Sequence, residues 1–284
     1  MKKLYFSFFA LLFTILLWGC AKDDAVSPNE PTPFENASFS KGGMMYDKFW
    51  SSETGFNQND TNIAKFNAKS DFFRCKQCHA WDYLGRNGSY IGRGPTVNRP
   101  RVADRNLYVI AQSSTPDQLF EAIKRSTNRR DISFDLNTYN PNSNYTEGDK
   151  MPNYGQLLSD AQIWDIVKYL KTAIFDVSQL YDATYTGVYP TGSASYSNIG
   201  KDGNPTNGST YYSSNCLSCH GPTGNVLIIE GMTLGQFTRS KPNEVQHKVK
   251  YGNLGTSMTG KFDVTLNQMK DLYKALADTL AFPN

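Results

Sequence analysis

Four of the five cysteines fall in two short runs, Cys75-Lys76-Gln77-Cys78-His79 and Cys216-Leu217-Ser218-Cys219-His220. In such a run the two thiols can add across the vinyl groups of one haem, and the adjacent imidazole is held where it reaches the iron from one face. Attachment and one axial ligand are thereby fixed together. The two pairs could instead form a four-cysteine zinc site, but that reading leaves His79 and His220 without a part. A disulfide framework, the usual fate of cysteines in an exported chain, also gives no reason for a histidine after both pairs. The expectation is two covalently bound haem c groups, on Cys75, Cys78 and His79 and on Cys216, Cys219 and His220.

The elements that must position these runs look like two copies of one plan. Ser114-Thr115-Pro116-Asp117-Gln118-Leu119 through Ile123 matches Ser240-Lys241-Pro242-Asn243-Glu244-Val245 through Val249 position by position. Each reads as a short helix with proline in its first turn, where the missing amide hydrogen costs nothing. Ser159-Asp160-Ala161-Gln162 opens a helix burying Ile163, Ile166, Val167 and Leu170, and Thr265-Leu266-Asn267-Gln268 opens one burying Met269, Leu272, Tyr273 and Leu276. Both openings are capping boxes and both apolar faces have helical spacing. A third pair of helices precedes the cysteine runs, carrying Tyr46 in one copy and Tyr212 in the other. No convincing alternating strands appear, so the expected fold class is all-α, with two helical domains each wrapped around a haem. The boundaries read as a signal peptide at 1–19, a flexible tether at 20–36, domain 1 at 37–175, a Gly/Ser/Tyr-rich connector at 176–202 and domain 2 at 203–284. Domain 1 carries two polar insertions, 51–70 and 127–150, whose fold is not readable.

With these motifs in place, the chain resembles a tandem diheme class I cytochrome c over nearly its whole mature length. In that family the second axial ligand is a methionine in a loop before the C-terminal helix, a place held here by Met151, in Met151-Pro152-Asn153-Tyr154, and by Met258, in Gly255-Thr256-Ser257-Met258. Thr259 stands where the family has proline. The resemblance also implies a proline carbonyl that orients the ligating histidine, a part Pro95 of Gly94-Pro95 could take for His79. Trp81, Trp164 and Tyr154 are candidate walls of the first haem pocket, against the plainer reading as core aromatics. Met232 and His247 compete with Met258 for the second iron. Helical geometry turns His247 about 200° from Val245, away from its own haem. Met269 aligns with Ile163 and reads as core.

The N-terminus reads Met-Lys-Lys, an apolar stretch from Leu4 to Trp18, then Gly19-Cys20 and the polar Ala21-Lys22-Asp23-Asp24. This is an export signal, with an apolar part short for a membrane span of about 20 residues. Leu17-Trp18-Gly19-Cys20 resembles a bacterial lipobox, in which the cysteine is lipidated, so Cys20 is the expected anchor. Fully extended, residues 21–36 reach about 50 Å. Ala21 and the charges after it favour the outer membrane, on its periplasmic or its external face. Without Lys2 and Lys3 the basic and acidic side chains are nearly equal in number, which gives no charge argument for nucleic acid. The function expected from iron held by His and Met is single-electron transfer between redox protein partners, such as other cytochromes or a respiratory complex, without enzymatic turnover. The alternatives are a diheme oxidoreductase with one open haem, peroxidase-like or thiosulfate dehydrogenase-like, and a haem-based sensor. Arg129 and Arg130 could bind an oxyanion in such an enzyme, and read more simply as solvated loop charges.

Overall fold

The computed structural model describes residues 31–52, 69–125, 127–142 and 147–284. In chain order the helices are α1 Pro33–Asn36, α2 Phe39–Ser52, α3 Cys75–His79, α4 Leu107–Ser113, α5 Pro116–Lys124 and α6 Asp160–Thr172. After a two-stranded sheet, β1 Asp182–Thr186 and β2 Ser193–Ser197, come α7 Pro205–Asn215, α8 Leu217–His220, α9 Leu234–Ser240, α10 Pro242–Tyr251 and α11 Leu266–Leu276. The capping boxes expected at Ser159 and Thr265 are both formed, and further ones stand at Thr32, Thr115 and Thr233.

The helix pairs flanking the two cysteine runs are built alike. In the first half α2 crosses α6 so closely that a Cβ on Gly42 would collide with the carbonyl of Asp165; in the second α7 crosses α11 and Gly208 meets Asp271 in the same way. Only glycine allows backbones to approach so far. The same two carboxylates cap the helices lying across them, Ser38 N–H donating to Asp165 Oδ1 (2.6 Å) and Asn204 N–H to Asp271 Oδ1 (2.7 Å). One turn further on, Tyr46 donates its hydroxyl to the carbonyl of Ala80 and Tyr212 to that of Gly221, each at 2.6 Å. Ala80 and Gly221 directly follow the histidines of the two cysteine runs, and both have positive φ (60° and 77°). That backbone state ends the single turn of helix carrying each cysteine run.

Three expectations need correction. Against the expectation of no strands, the connector 176–202 carries two: β1 and β2 form an antiparallel hairpin with Asp182 paired to Ser197 and Thr186 to Ser193. It packs over the loop after the first cysteine run, where the Tyr189 hydroxyl accepts from Val102 N–H and the Tyr185 hydroxyl donates to Asp82. The strands carry Thr and Tyr, good strand formers, but so few residues that alternation is hard to see. The last part of the tether, Pro33–Asn36, is a capped helical turn lying against α6. Nor does each half keep a core of its own: Tyr251, Met269 and Tyr273 of the second half belong to the same apolar cluster as Tyr46, Trp81 and Tyr169 of the first. A small separate cluster, Tyr212, Leu234, Leu272, Leu276 and Phe282, lies under the second cysteine run.

The halves meet along α10. Gln246 Nε2 donates to the carbonyl of Trp81 (2.9 Å), Tyr251 packs against Gly43, and Lys248 Nζ stands 3.1 Å from Asp47 Oδ2. Asp47 is 1% exposed and is also paired with Arg74, the residue before Cys75. Burial pushes its carboxyl up, but Arg74 and Lys248 outweigh this and hold it well below the usual carboxylate range. Among the described residues no helix is long and apolar enough to cross a membrane. The N-terminal apolar stretch, Cys20 and most of the insertion 51–70 lie outside the described residues.

Candidate functional site

The helix α3 is a single turn, so Cys75 and Cys78, three positions apart, lie on one face, with His79 one residue on. The buried Phe72 and Phe73 of the preceding 3-10 turn fix its entry, and Gly85 N–H donates to the carbonyl of His79 (3.2 Å) at its exit. Cys75, Cys78 and His79 face a cavity of about 540 Å³, within the range of cofactor sites. Leu107 and Ile110 of α4, Leu119 and Ile123 of α5, and Ile166 and Leu170 of α6 supply its apolar wall.

Met151, Pro152 and Tyr154 line the same cavity. Their loop is clamped on both sides: Arg130 N–H donates to the carbonyl of Met151 and Asn153 N–H to that of Arg130, both at 2.8 Å. Tyr154 donates its hydroxyl to the carbonyl of Phe73 (2.5 Å), tying the methionine loop to the segment that leads into Cys75. The structure thus brings Cys75, Cys78, His79 and Met151 to one enclosure.

The electrostatics suit a covalently held haem. Burial, with smaller effects of Arg129 and Arg105, holds His79 down to about 4, so its imidazole is neutral near pH 7 and a nitrogen lone pair is free for iron. Burial pushes both thiols up to about 12, which keeps them as neutral thiols. Among the described residues no group of three or more His, Cys, Asp or Glu side chains could hold a metal ion, so the two cysteine pairs do not converge on a shared zinc site. Arg74, Arg101, Arg105 and Arg129 line the cavity with a single acid, Asp149. That cationic lining fits a group carrying two carboxylates.

Other expected residues lie elsewhere. Pro95 is on the turn between Gly94, which lies beside Pro190 of the hairpin, and Arg99, and it is not among the cavity lining. Trp164 stacks on Phe120 (4.4 Å, 16°) and Trp81 packs on His247, so of the three aromatic candidates only Tyr154 lines the cavity. Arg129 and Arg130 are not solvated charges. Arg130 is 0% exposed, with its guanidinium 5.0 Å over the Phe73 ring and Nε and Nη1 without partners, while Arg129 donates to the carbonyl of Ala122. The described part of the insertion, 127–142 and 147–150, packs onto the body, with Leu136 and Tyr139 buried. Sequence reasoning missed this because a polar loop gives no periodicity.

The second site is more open. His220 is 8% exposed with Nδ1 unpartnered, and burial lowers its pKa from the ordinary imidazole value. Cys216 packs against the small cluster and burial pushes its thiol up to about 11, whereas Cys219 is exposed. Met258 is half-buried in the loop after α10, where Asn253 N–H donates to its carbonyl (3.1 Å) and Gly252 pairs with Thr259. Lys261, three residues on, acts electrostatically on Cys216, which brings that end of the loop to the cysteine run. Val226 and Ile228, after His220, are 63% and 60% exposed. Met232 pairs with Ile229 through its backbone, and Met269 is core as expected. His247 is 1% exposed and buried against the first half, its ring 4.5 Å from Trp81.

No curated protein and no solved structure matches the chain. The cytochrome c family model matches residues 66–173, the segment holding the first cysteine run, the cavity wall and Met151. The match marks a class I cytochrome c domain within those residues, a kind of domain that carries covalently bound haem c and serves in electron transfer.

Proposed function

We propose that the chain is a lipid-anchored electron carrier with two haem c groups, passing single electrons between redox protein partners. The convergence of Cys75, Cys78, His79 and Met151 on one cavity is the observation that carries it. Haem supplies a one-electron iron couple whose potential is raised by a thioether ligand. Cys75 and Cys78 would hold the group covalently, and His79, as a neutral imidazole, and Met151, on its clamped loop, would ligate the iron. Iron held by both would have no site for a substrate, as suits a carrier. The apolar helices exclude water from the site, and the arginines compensate carboxylates.

The second haem is assigned to Cys216, Cys219, His220 and Met258, because the helix crossing, the tyrosine hydrogen bond and the positive-φ exit of the first half all recur around them. Lipidation at Cys20 would hold the protein at the outer membrane through the tether. The openness of the second site favours a second reading, an oxidoreductase whose reactive haem is the second one.

Absorption of the pyridine adduct counts haems, and the near-infrared methionine-to-iron band counts methionine ligands. We expect two haems per chain, about half of the band lost in each of Met151→Ala and Met258→Ala, and negligible turnover of peroxide, thiosulfate or nitrite. One haem per chain overturns the diheme reading. Turnover abolished by Cys216→Ala with Cys219→Ala establishes the enzyme instead.

A further inference from the structure

The helix α10 packs against the first half on one side and against the apolar cluster of the second half on the other. On one side His247 is buried in a box of rings, with centroids 4.5 Å from Trp81, 4.9 Å from Tyr251 and 5.8 Å from Tyr46. Tyr46 lines the first cavity and bonds to Ala80, the residue between His79 and Trp81. Gln246 fastens the helix to the carbonyl of Trp81 (2.9 Å). On the other side Val249, two residues from His247, packs against the small cluster of the second half, against which Cys216 also packs. The helix thereby links the ring box beside Ala80 to the cluster under the second cysteine run.

His247 itself has no structural account. Both ring nitrogens lack a hydrogen-bond partner although the side chain is 1% exposed. An unsatisfied buried polar group costs stability, and phenylalanine would fill the same space without that cost. Its ring is held neutral by burial.

We propose that α10 is the electron bridge between the two haem sites, with the packed rings of Trp81 and His247 as its first span. The proposal rests on the two-haem reading. The step moves one electron from the reduced site, which is oxidised, to the oxidised site, which is reduced. No bond forms or breaks and no proton moves, since the imidazole between them stays neutral.

The test uses the full-length diheme protein and its His247→Leu, His247→Met, His247→Phe and Trp81→Leu variants. Each is loaded with one electron by flash photoreduction, and the equilibration between sites is followed. Both reduction potentials, haem content, near-ultraviolet circular dichroism and heat stability are measured on the same samples. We expect His247→Leu, His247→Met and Trp81→Leu to slow equilibration by roughly an order of magnitude at unchanged potentials, because a gap replaces a packed ring. His247→Phe should keep most of the rate and unfold at a higher temperature than the parent, which a merely structural histidine would not link to the rate. Two haems with equal rates in every variant that folds overturn the bridge alone. One haem in the parent overturns the two-haem reading and the bridge with it.

Discussion

The two halves share a helix crossing and a tyrosine latch but differ in how they close the space beyond the cysteine run. In the first half, Arg130 of the insertion pairs beside Met151 and Pro152, and Tyr154 bonds back to Phe73, so the methionine loop is tied to the segment leading into the cysteine run around one cavity. In the second half the corresponding loop is short, Met258 is followed by Thr259, and Val226 and Ile228 face outward. Common backbone geometry around a cysteine run is thus compatible with very different enclosure. Enclosure sets how strongly burial acts: it pushes the thiols to about 12 in the first half and Cys216 to about 11 in the second.

The largest effect should separate the halves. Replacing Cys75 and Cys78 with Ala removes the group that fills the 540 Å³ cavity, whose wall continues into the apolar cluster shared with Tyr251 and Tyr273. Both halves should then lose heat stability together. Replacing Cys216 and Cys219 should remove one haem while leaving the first half's helical signal and its methionine band in place. Haem staining of denatured samples and thermal unfolding followed by circular dichroism check this. Equal losses from the two double variants would show that the enclosure of the first half adds nothing.

A smaller effect belongs to the seam. Asp47→Asn leaves Arg74 and Lys248 without their shared carboxylate at a buried place, which costs roughly 3 kcal/mol by analogy with broken buried pairs. Because the folded carboxyl is held well below its unfolded value of about 3.9, its contribution is complete above that value. It is lost as pH falls through the folded pKa, so the parent loses this stability only in strong acid and Asp47→Asn has none of it to lose. Denaturant titrations of both proteins at neutral and acidic pH measure the difference, which should shrink towards the acid end.

The elements with local signatures were legible in the sequence. The capping boxes at Ser159 and Thr265, the prolines opening α5 and α10, and the core positions from Ile163 to Leu170 and from Met269 to Leu276 follow from spacing within one turn or two. Helical geometry alone set His247 about 200° from Val245, but where its ring then lands did not follow from it. Its burial among Trp81, Tyr46 and Tyr169, like the Asp47–Lys248 pair and the burial of Arg130, depends on residues far apart in sequence meeting in space. Such contacts leave no period to read. The hairpin was missed because its strands are five residues each and half-exposed.

The smallest effect is a swap at the exit of the two cysteine runs. Ala80 holds φ 60° and ψ −178°, and Gly221 holds φ 77° and ψ 174°. That region is essentially a glycine one, and a side chain there costs on the order of 1–3 kcal/mol. Ala80 is retained under that strain with its carbonyl fixed by Tyr46, so Ala80→Gly should relieve the strain. Part of the gain is offset by the greater freedom of glycine in the unfolded chain, leaving about 1 kcal/mol or less. Gly221→Ala should cost more than Ala80→Gly gains, because the new methyl also collides with Val226. Chemical denaturation of the two single variants reads both signs. A Gly221→Ala protein as stable as its parent would mean that Val226, mobile on its exposed loop, moves aside, and that the second exit is less rigid than the first.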